Sequence, residues 1–390
     1  MRKDLDIGMF GLRGMNLPGA RFGGFEAVYS EIASRLVKRG HRVTIYCQRA
    51  QYPMSDLPET YQGVRLKYVP MVNSKNLATL TATFTSMLDG FRRENFDLYL
   101  VVNVGMGFHC ALAKSMGKTV VMNVDGLDWQ RAKWGHAAKW YFRMAARAAI
   151  FACDRLITDS KAMRLFYRER YGADSEFITY GTDIEDSVKP QLLEPLGISP
   201  RDYYLVMSRM VPENNLDVMI EGFKEVPTSK KLIVAGGAIY DSPFHRRLFA
   251  MADDRVKFIG HVHEPDLLRE LFCNCYAYLH GHSVGGTNPA LLNALGYGCC
   301  VMAIDTPFNR EVLEGDLGVS YGLLFKGEKD LSGQIANLED HPDLAEEYRR
   351  KARDRIREAY EWDQIVDQYE ALFHGLMRKK TIITNLPRCS

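Results

Sequence analysis

A strand pattern, a glycine-rich loop and an apolar helix pattern follow one another in residues 275–298, and this order constrains the fold more than any other stretch. Gly285 and Gly286 allow the loop backbone to approach a ligand closely. Thr287 or Asn288 can cap the helix that follows. The amides and the positive dipole at the start of that helix favour an anion such as a phosphate. The stretch therefore predicts an anion site, with an ordinary strand-to-helix turn as the alternative.

A matching unit lies near the N-terminus, where a strand pattern at 5–11 leads into a long loop that ends at Gly23 and Gly24. An amphipathic helix from about 26 to 39 and a strand at 42–47 complete a βαβ unit. The loop is too long for the GxGxxG turn of dinucleotide-binding domains, and no ribose-binding acid ends the second strand. The pattern disfavours a nicotinamide cofactor, but an oxidoreductase is kept as an alternative function.

Strand and helix patterns alternate along the whole chain, which predicts parallel sheets covered by helices on both faces. A chain of 390 residues is too long for one ordinary core, and the prolines Pro190, Pro195 and Pro200 mark a boundary. The predicted organisation is a first α/β domain at 1–185, a linker at 186–200, a second α/β domain at 201–358, a helix at 359–380 and a tail at 381–390.

Residues that directly follow predicted strands are candidate site residues, because ligands of parallel sheets bind at the carboxyl ends of the strands. In the first domain this edge carries Gly23, Gly24 and Asp125. In the second domain the strands are followed by Ser208-Arg209, by Gly236-Gly237, by Gly260-His261-Val262 and by the loop that contains His282. Two domains with glycine loops at these edges predict a ligand cleft between them.

Composition and charge narrow the class of protein. A net charge of +2 argues against nucleic acid as the main partner. No apolar run approaches the ~20 residues that span a bilayer, and the N-terminus does not resemble a signal peptide. The eight cysteines lie largely in or beside apolar runs and form no disulfide framework. We therefore expect a cytoplasmic protein.

Residues 129–143 mix aromatic and basic side chains, including three of the four tryptophans. Such a helix suits the headgroup layer of an anionic membrane, because half-wet rings and cations both find partners there. The alternative is a helix that packs its aromatic side chains inward and leaves its cations in water. The first interpretation predicts peripheral binding at the inner face of the plasma membrane.

Histidine and cysteine pairs with i,i+2 spacing raise the alternative of a metal site; they are His261 and His263, Cys273 and Cys275, and His280 and His282. On a strand, each pair would point to one face, as zinc ligands do. The pairs lie at consecutive strand ends, however, and lack the loop spacing of zinc sites. A D-x-D pair, Asp4 and Asp6, lies at the amino end of the first strand, away from the ligand edge. We therefore predict no metal.

Several motifs in this order resemble the GT-B glycosyltransferases of the large retaining family 4: Gly23-Gly24, SRMVPEN at 208–214, Gly236-Gly237 and the stretch 280–298. More narrowly, PGARFGGFEAVYSEIA, NVDGLDWQRAKW, VPENNLD, HGHSVGGTNPALLNALG and FNREVL resemble the bacterial branch that includes β-1,4-rhamnosyltransferases of capsule and cell-wall polysaccharide assembly. The similarity extends over nearly the whole chain. It implies two Rossmann-like domains facing across a cleft, with the helix at 359–380 crossing back to the first domain.

The resemblance implies how the diphosphate of a nucleotide sugar is bound. Arg209 is the obvious cation, because a guanidinium binds phosphate bidentately. The family's lysine five residues later is Asn214 here, so Arg13 or Arg21 on the first glycine loop is expected to restore the charge. No metal or other cofactor is then required, because main-chain amides complete the site; they are those of Gly23, Gly24, Gly286 and Thr287.

Two family glutamates correspond to Gly285 and Asn293 in this chain. The second contacts the ribose in the family, and an asparagine there removes a charged acceptor. Asp125 stands where related enzymes have a catalytic histidine, and we expect it to position the acceptor or the sugar hydroxyls, or to cap the following helix. Glu213 and Asn288 are expected to bind sugar hydroxyls, with a solvated acid and a helix cap as the alternatives.

The catalytic candidates are therefore Asp125, Glu213 and Arg209, and the donor-binding candidates also include Gly236, His261, Val262 and His282. The implied activity is retaining transfer of L-rhamnose from dTDP-rhamnose to a lipid-linked or growing cell-surface polysaccharide. In such a transfer the departing phosphate oxygen takes the proton of the acceptor, so no strong base is needed. The alternatives are a UDP-hexose or GDP-mannose donor, or a non-catalytic nucleotide-sugar-binding partner in polysaccharide assembly.

Overall fold

The structure, a computed structural model, divides into two compact units, Met1–Tyr180 with Trp362–Ser390, and Gly181–Glu361. It describes residues 4–17, 22–52, 56–74, 77–124, 126–130, 134–237, 242–315 and 318–385, leaving out the side chains of 128 and 381–385. None of the helices within these ranges has the length and hydropathy needed to cross a membrane.

The first unit alternates strands and helices as the sequence patterns predict. Its elements are β1 (Asp6–Phe10), α1 (Gly24–Lys38), β2 (Arg42–Gln48), β3 (Thr60–Tyr61), β4 (Val64–Val69), α2 (Ala78–Arg93), β5 (Leu98–Val102), α3 (Gly107–Ser115), β6 (Val120–Asn123), α4 (His136–Ala152), β7 (Arg155–Thr158), α5 (Lys161–Tyr171) and β8 (Glu176–Phe177).

The sheet of the first unit has the strand order β3-β4-β2-β1-β5-β6-β7-β8. Only β3 pairs antiparallel, with β4, and the other described pairs are parallel. The central strand β5, LYLVV, is buried at every residue. A continuous apolar run of this kind is expected where helices cover both faces of a parallel sheet.

The second unit repeats the alternation. Its elements are β9 (Tyr203–Met207), α6 (Leu216–Lys224), β10 (Lys231–Ala235), α7 (Pro243–Met251), β11 (Val256–Gly260), α8 (Pro265–Asn274), β12 (Ala277–His280), α9 (Pro289–Gly296), β13 (Val301–Ile304), α10 (Pro307–Leu313), β14 (Leu323–Phe325), α11 (Glu328–Asp340) and α12 (Pro342–Ala359). The strand order is β11-β10-β9-β12-β13-β14, with every described pair parallel. Its core includes Tyr204, Phe223, Leu232, Leu279 and Phe325.

One strand of the second unit starts later than its apolar run indicates. The sequence places the strand from Cys275, whereas β12 begins at Ala277. Helix α8 continues to Asn274, and Cys275 is the residue that leaves it. Apolar residues alone cannot separate the end of a buried helix from the start of a buried strand.

The final helix, α13 (Trp362–Asn385), belongs to the first unit. Arg39, which follows α1, forms ion pairs with Asp367 and, at 2.6 Å, with Glu370 of α13. His41 contacts the same glutamate through Nε2 at 2.8 Å, and the Arg35 guanidinium lies 5.4 Å from the centre of the Trp362 ring. These contacts fix the first turns of α13 beside α1.

Residues 186–200, where the prolines mark a boundary, are fixed to the second unit through one buried carboxylate. Glu270 of α8 is fully buried and accepts hydrogen bonds from the Ser187 hydroxyl at 2.5 Å and from the amides of Val188 and Lys189 at 2.8 and 2.7 Å. Burial by itself opposes ionisation, but these hydrogen bonds hold the pKa of Glu270 below its usual value.

We expect Glu270→Gln to lower the unfolding temperature of the second unit by about 5–10 °C, because losing charge-assisted hydrogen bonds from a buried acceptor costs about 2–3 kcal/mol. A lowered pKa stabilises the fold above the usual glutamate pKa of about 4.3, and this stabilisation is lost as the pH falls through the lowered value. The difference between the wild type and the variant should therefore shrink as the pH falls below the usual glutamate pKa.

Calorimetric unfolding across this pH range measures both effects. Glu264→Gln is the matched control, because Glu264 is exposed at the start of the same helix. Equal melting temperatures for wild type and Glu270→Gln at neutral pH would contradict the role given to this carboxylate.

Candidate functional site

The candidate site lies where the strand order of the second sheet reverses. β9 and β12 are neighbours, although β10 and β11 separate them in sequence. In open parallel sheets a crevice forms outside the carboxyl ends of two such strands, and ligands bind there. Ser208 and Arg209 follow β9, and the loop from Gly281 follows β12.

Hydrogen bonds join the loop after β12 to the turn after β9. A 3₁₀ turn at Pro212–Asn214 follows Arg209. The carbonyl of Glu213 accepts hydrogen bonds from the amide and the hydroxyl of Ser283, both at 3.0 Å. The Asn215 side-chain amide donates to the Gly281 carbonyl at 2.7 Å and to the Ser283 hydroxyl at 3.1 Å. Side-chain and backbone hydrogen bonds therefore hold the two segments together.

Glycine is required where these segments meet. A Cβ at Gly281 would lie 2.1 Å from the carbonyl oxygen of Asn214, and one at Gly236 would lie 1.9 Å from the carbonyl oxygen of Ser208. Gly236 also has φ +129°, which L side chains rarely adopt. Gly236 is predictable from the sequence, whereas the roles of Gly281, Asn215 and Ser283 are not, because no residue pattern marks a contact between segments so far apart in the chain.

The glycine loop leads into α9 as the sequence predicts. Asn288 is the cap, since its side-chain oxygen accepts the Ala290 amide at 2.9 Å, and Pro289 is the first helical residue. Gly285 is buried with φ +125°, and Thr287 is 5% exposed. The start of α9 thus lies at the carboxyl edge of the sheet, where the helix dipole favours an anion, although the Asn288 cap already occupies the Ala290 amide.

Asn214 occupies the centre of the contacts between the turn and the loop. Its side-chain nitrogen donates to the Arg209 carbonyl at 2.7 Å, and its side-chain oxygen lies 2.8 Å from Nδ1 of His282. The His282 carbonyl in turn accepts a hydrogen bond from the Asn309 side chain at 3.0 Å. The side chain that stands at the position of the family's lysine therefore binds the protein, through the Arg209 carbonyl and the His282 ring.

His280, the last residue of β12, is buried and neutral at physiological pH. Burial, and to a smaller extent the neighbouring His282, lower its pKa to about 3. Its Nδ1 lies 3.3 Å from the Tyr278 hydroxyl. His280 therefore contributes no charge to the site.

The remaining donor-binding candidates of the second unit lie at the same edge. Arg209 and His261 are exposed, and Glu213, Val262 and Gly286 are half-buried. His261 lies next to Gly237, which is in the turn after β10. A Cβ added at Gly237 would be only 2.6 Å from Nε2 of His261.

Asn293, expected at the ribose, has a partner within the second unit. Its side-chain oxygen accepts a hydrogen bond from the Thr182 hydroxyl at 2.8 Å. The side-chain oxygen that would replace the family's carboxylate is thus already engaged.

Two of the first-unit candidates lie at the start of α1. Gly23 is its cap residue and Gly24 its first residue, and both are exposed. Arg13 forms a two-pronged ion pair with Glu26 at 2.6 and 2.7 Å. Burial opposes its charge, but Glu26 raises the pKa of Arg13 overall. The expected spare cation is therefore already neutralised, and the other two candidates, Arg21 and Asp125, lie outside the described residues.

The histidine and cysteine pairs with i,i+2 spacing do not form a metal site in the described part of the chain. Cys273 lies on α8, not on a strand. Within the described residues, three other side chains lie close enough together to bind a metal ion: His41, Glu370 and His374. Nδ1 of His41 accepts the Leu5 amide at 3.1 Å, so Nε2 carries the proton and donates it to Glu370. With that proton in place, Nε2 has no lone pair for a metal.

Some aromatic side chains of the segment 129–143 are packed in the core, and others are exposed at the surface. Trp129 is 6% exposed and lies against Phe166 at 6.1 Å, and Trp134 packs on Phe142 at 5.2 Å. Trp140 is 65% exposed, however, and Phe151 at the end of the same helix is 88% exposed. The inward-packing alternative therefore holds for the first two tryptophans but not for α4.

Comparison with known proteins agrees with this arrangement. Residues 23–180 match the family model for a glycosyl transferase 4-like domain, and residues 189–355 match that for glycosyl transferases group 1. A search of curated protein sequences found no match.

Solved structures resemble the chain over almost its full length. Anabaena HepE in complex with UDP and glucose has a TM-score of 0.76 at 16% identity, covering 95% of this chain and 100% of that one. Sucrose-phosphate synthase from Thermosynechococcus elongatus has a TM-score of 0.79 at 15% identity, covering 97% and 100%. WaaG, a glycosyltransferase involved in lipopolysaccharide biosynthesis, has a TM-score of 0.68 at 15% identity, covering 95% and 100%. With two family models matched at residues 23–180 and 189–355 and this shared architecture, the chain belongs to the GT-B glycosyltransferases, which transfer a sugar from a nucleotide-sugar donor.

Proposed function

We propose that this protein transfers L-rhamnose, with retention of configuration, from dTDP-rhamnose to a lipid-linked or growing cell-surface polysaccharide. The donor binds at the carboxyl edge of the second sheet. The observation that carries this proposal is the set of hydrogen bonds joining Glu213 and Asn215 to Gly281 and Ser283. They hold Arg209 and the start of α9 at one strand edge, and both are suited to a diphosphate.

The transfer needs charge stabilisation more than a strong base. The acceptor hydroxyl oxygen forms a bond to the anomeric carbon while the bond from that carbon to the phosphate oxygen breaks, and the departing oxygen takes the hydroxyl proton. Arg209 and the amides at Gly286 and Thr287 stabilise the charge that develops on the diphosphate. Asp125 orients the acceptor or the sugar, and Glu213 and Asn288 bind sugar hydroxyls.

The rhamnose donor is supported by the motifs VPENNLD and HGHSVGGTNPALLNALG, which resemble the bacterial rhamnosyltransferase branch. A UDP-hexose is the second candidate, because a structurally similar protein was solved with UDP and glucose. Incubation with dTDP-rhamnose, UDP-glucose and GDP-mannose, with and without a lipid-linked acceptor, separates them by the nucleotide released. Release from dTDP-rhamnose alone supports the proposal. Nucleotide release from another donor would identify that donor's sugar as the one transferred. No nucleotide release from any donor would favour the non-catalytic binding partner.

We expect Arg209→Ala to weaken binding of the matching nucleoside diphosphate about 30- to 160-fold, because a charge-assisted hydrogen bond to a phosphate contributes about 2–3 kcal/mol. Isothermal titration calorimetry measures this change. Arg350→Ala is the matched control, since Arg350 is exposed on α12. Unchanged affinity in Arg209→Ala would exclude the diphosphate site proposed here.

We further propose that α4 binds an anionic membrane surface, where a lipid-linked acceptor is found. Trp140, Arg143, Arg147 and Phe151 are exposed at spacings of three and four residues, which places them along one side of the helix. No described acidic side chain forms an ion pair with either arginine. Phe108 of α3, 44% exposed and 5.6 Å from the Tyr141 ring, widens this surface. Aromatic side chains next to unpaired cations suit lipid headgroups.

The double variant Trp140→Ser with Phe151→Ser should reduce binding to phosphatidylglycerol-containing vesicles at least about tenfold, because it removes two aromatic side chains from the headgroup layer. Vesicle co-sedimentation measures the bound fraction, and nucleoside diphosphate affinity should stay unchanged. Leu165→Ser, 53% exposed on α5 of the same unit, serves as the control. Equal binding by the double variant and the wild type would argue against a membrane role for α4.

A further inference from the structure

The described residues of the second unit carry less fixed charge at the candidate donor site than the family pattern implies. The family resemblance places a lysine where this chain has Asn214. Of the two arginines expected to replace it, Arg13 is paired with Glu26 and Arg21 lies outside the described residues. Asn214 is buried and bonded to the protein through both ends of its amide. The side chain that it holds, His282, lies on the glycine-rich stretch.

The hydrogen bonds determine which nitrogen of His282 carries a proton. The Asn214 side-chain nitrogen donates to the Arg209 carbonyl at 2.7 Å, which fixes the orientation of the amide. The amide oxygen therefore faces Nδ1 of His282 at 2.8 Å, and an oxygen can only accept. Nδ1 is thus the protonated nitrogen in neutral His282, and a second proton on Nε2 makes the ring a cation with a donor at each end.

Nε2 of His282 faces the glycine loop. A Cβ at Gly285 would lie 3.6 Å from this nitrogen, so the ring edge is beside the backbone that leads into α9. The amides of that loop and of the start of α9 are the groups proposed for the diphosphate. A phosphate oxygen bound there selects the ring state in which Nε2 donates.

We propose that His282, positioned by Asn214, supplies the positive charge to the diphosphate that a lysine at position 214 supplies elsewhere in the family. This inference rests on the proposed function, and it adds that nucleotide binding is coupled to uptake of one proton from solvent by Nε2. Asn214 is then a positioning residue, and its amide replaces the lysine charge indirectly by orienting an imidazole.

The charged and titratable groups on the neighbouring elements are compatible with this role. His280 on β12 is neutral because of burial. Arg310 on α10 is balanced by Asp305 at 2.6 Å and Glu314 at 2.5 Å. Arg209 and Glu213, on the turn after β9, carry opposite charges. Two further described histidines lie at this edge: His261 is exposed next to the turn after β10, whereas His282 is held by Asn214 at Nδ1 and has Nε2 beside the glycine loop.

Titration of the wild type with UDP and dTDP near pH 8, in buffers of different ionisation enthalpy, measures affinity and proton uptake together. We expect His282→Ala and His282→Gln each to weaken binding about 10- to 100-fold and to abolish proton uptake, because neither side chain can become charged. Introducing Asn214→Lys into His282→Ala should restore affinity to within about threefold without restoring proton uptake, because a lysine is already charged. His263→Ala, at an exposed histidine, should behave as the wild type.

The outcomes separate this inference from the proposed function. A wild type that binds neither nucleotide contradicts the proposed donor site itself. If the wild type binds but both His282 variants keep its affinity and proton uptake, only the role of His282 is wrong. Melting temperatures identify variants that fail to fold. A loss of affinity in a folded His282→Ala that Asn214→Lys does not restore would show that His282 shapes the loop and supplies no charge.

Discussion

The proposed donor site depends on the contact between residues 213–215 and residues 281–283. These segments are 66 residues apart at the hydrogen bond between Asn215 and Gly281, and a Cβ at Gly281 would overlap the Asn214 carbonyl at 2.1 Å. Each neutral hydrogen bond contributes only about 1 kcal/mol to stability. Their larger effect is to keep donors aimed at one place before a ligand arrives, which is the condition for stabilising a developing charge without reorganisation.

This site uses fewer fixed charges than the family pattern implies. Gly285 and Asn293 stand where the family has glutamates, and the Asn293 oxygen accepts a hydrogen bond from Thr182. Asn214 stands in place of a lysine and binds the protein at both ends. Among the described residues of the second unit, the groups proposed for the diphosphate are the exposed Arg209, the amides that lead into α9 and His282, held in a defined tautomer. In the proposed role of His282, backbone dipoles and a proton taken up from solvent replace part of the permanent charge.

The first unit shows how the same residue types serve different purposes. Arg13 is neutralised by Glu26 beside the cap of α1, whereas Arg143 and Arg147 remain without described carboxylate partners on α4. Trp129 and Trp134 pack against phenylalanines, and Trp140 faces solvent. A single helix therefore presents aromatic rings and cations together, while its other side packs through alanines such as Ala145 and Ala149.

Much of this architecture follows from local pattern. Alternating strand and helix periodicity predicts two parallel-sheet domains, because apolar runs of strand length are stable only when both faces are covered. The glycine pair, Asn288 and Pro289 predict a helix start with open amides, because capping and proline chemistry act over a few residues. The position of Arg209 after a strand predicts its place at the ligand edge.

Other features required the fold. The partners of Asn214, Asn293 and Arg13 come from distant segments, and a hydrogen bond between remote side chains leaves no periodic trace in the sequence. The same holds for α13, which the Arg39 ion pairs fix to the first unit. The sequence by itself determined the sheets, the helix starts and the candidate residues, because these depend on neighbours along the chain. Only the tertiary structure decided which cations are already neutralised and which histidine tautomer is present, because charge balance and hydrogen-bond direction depend on neighbours in space.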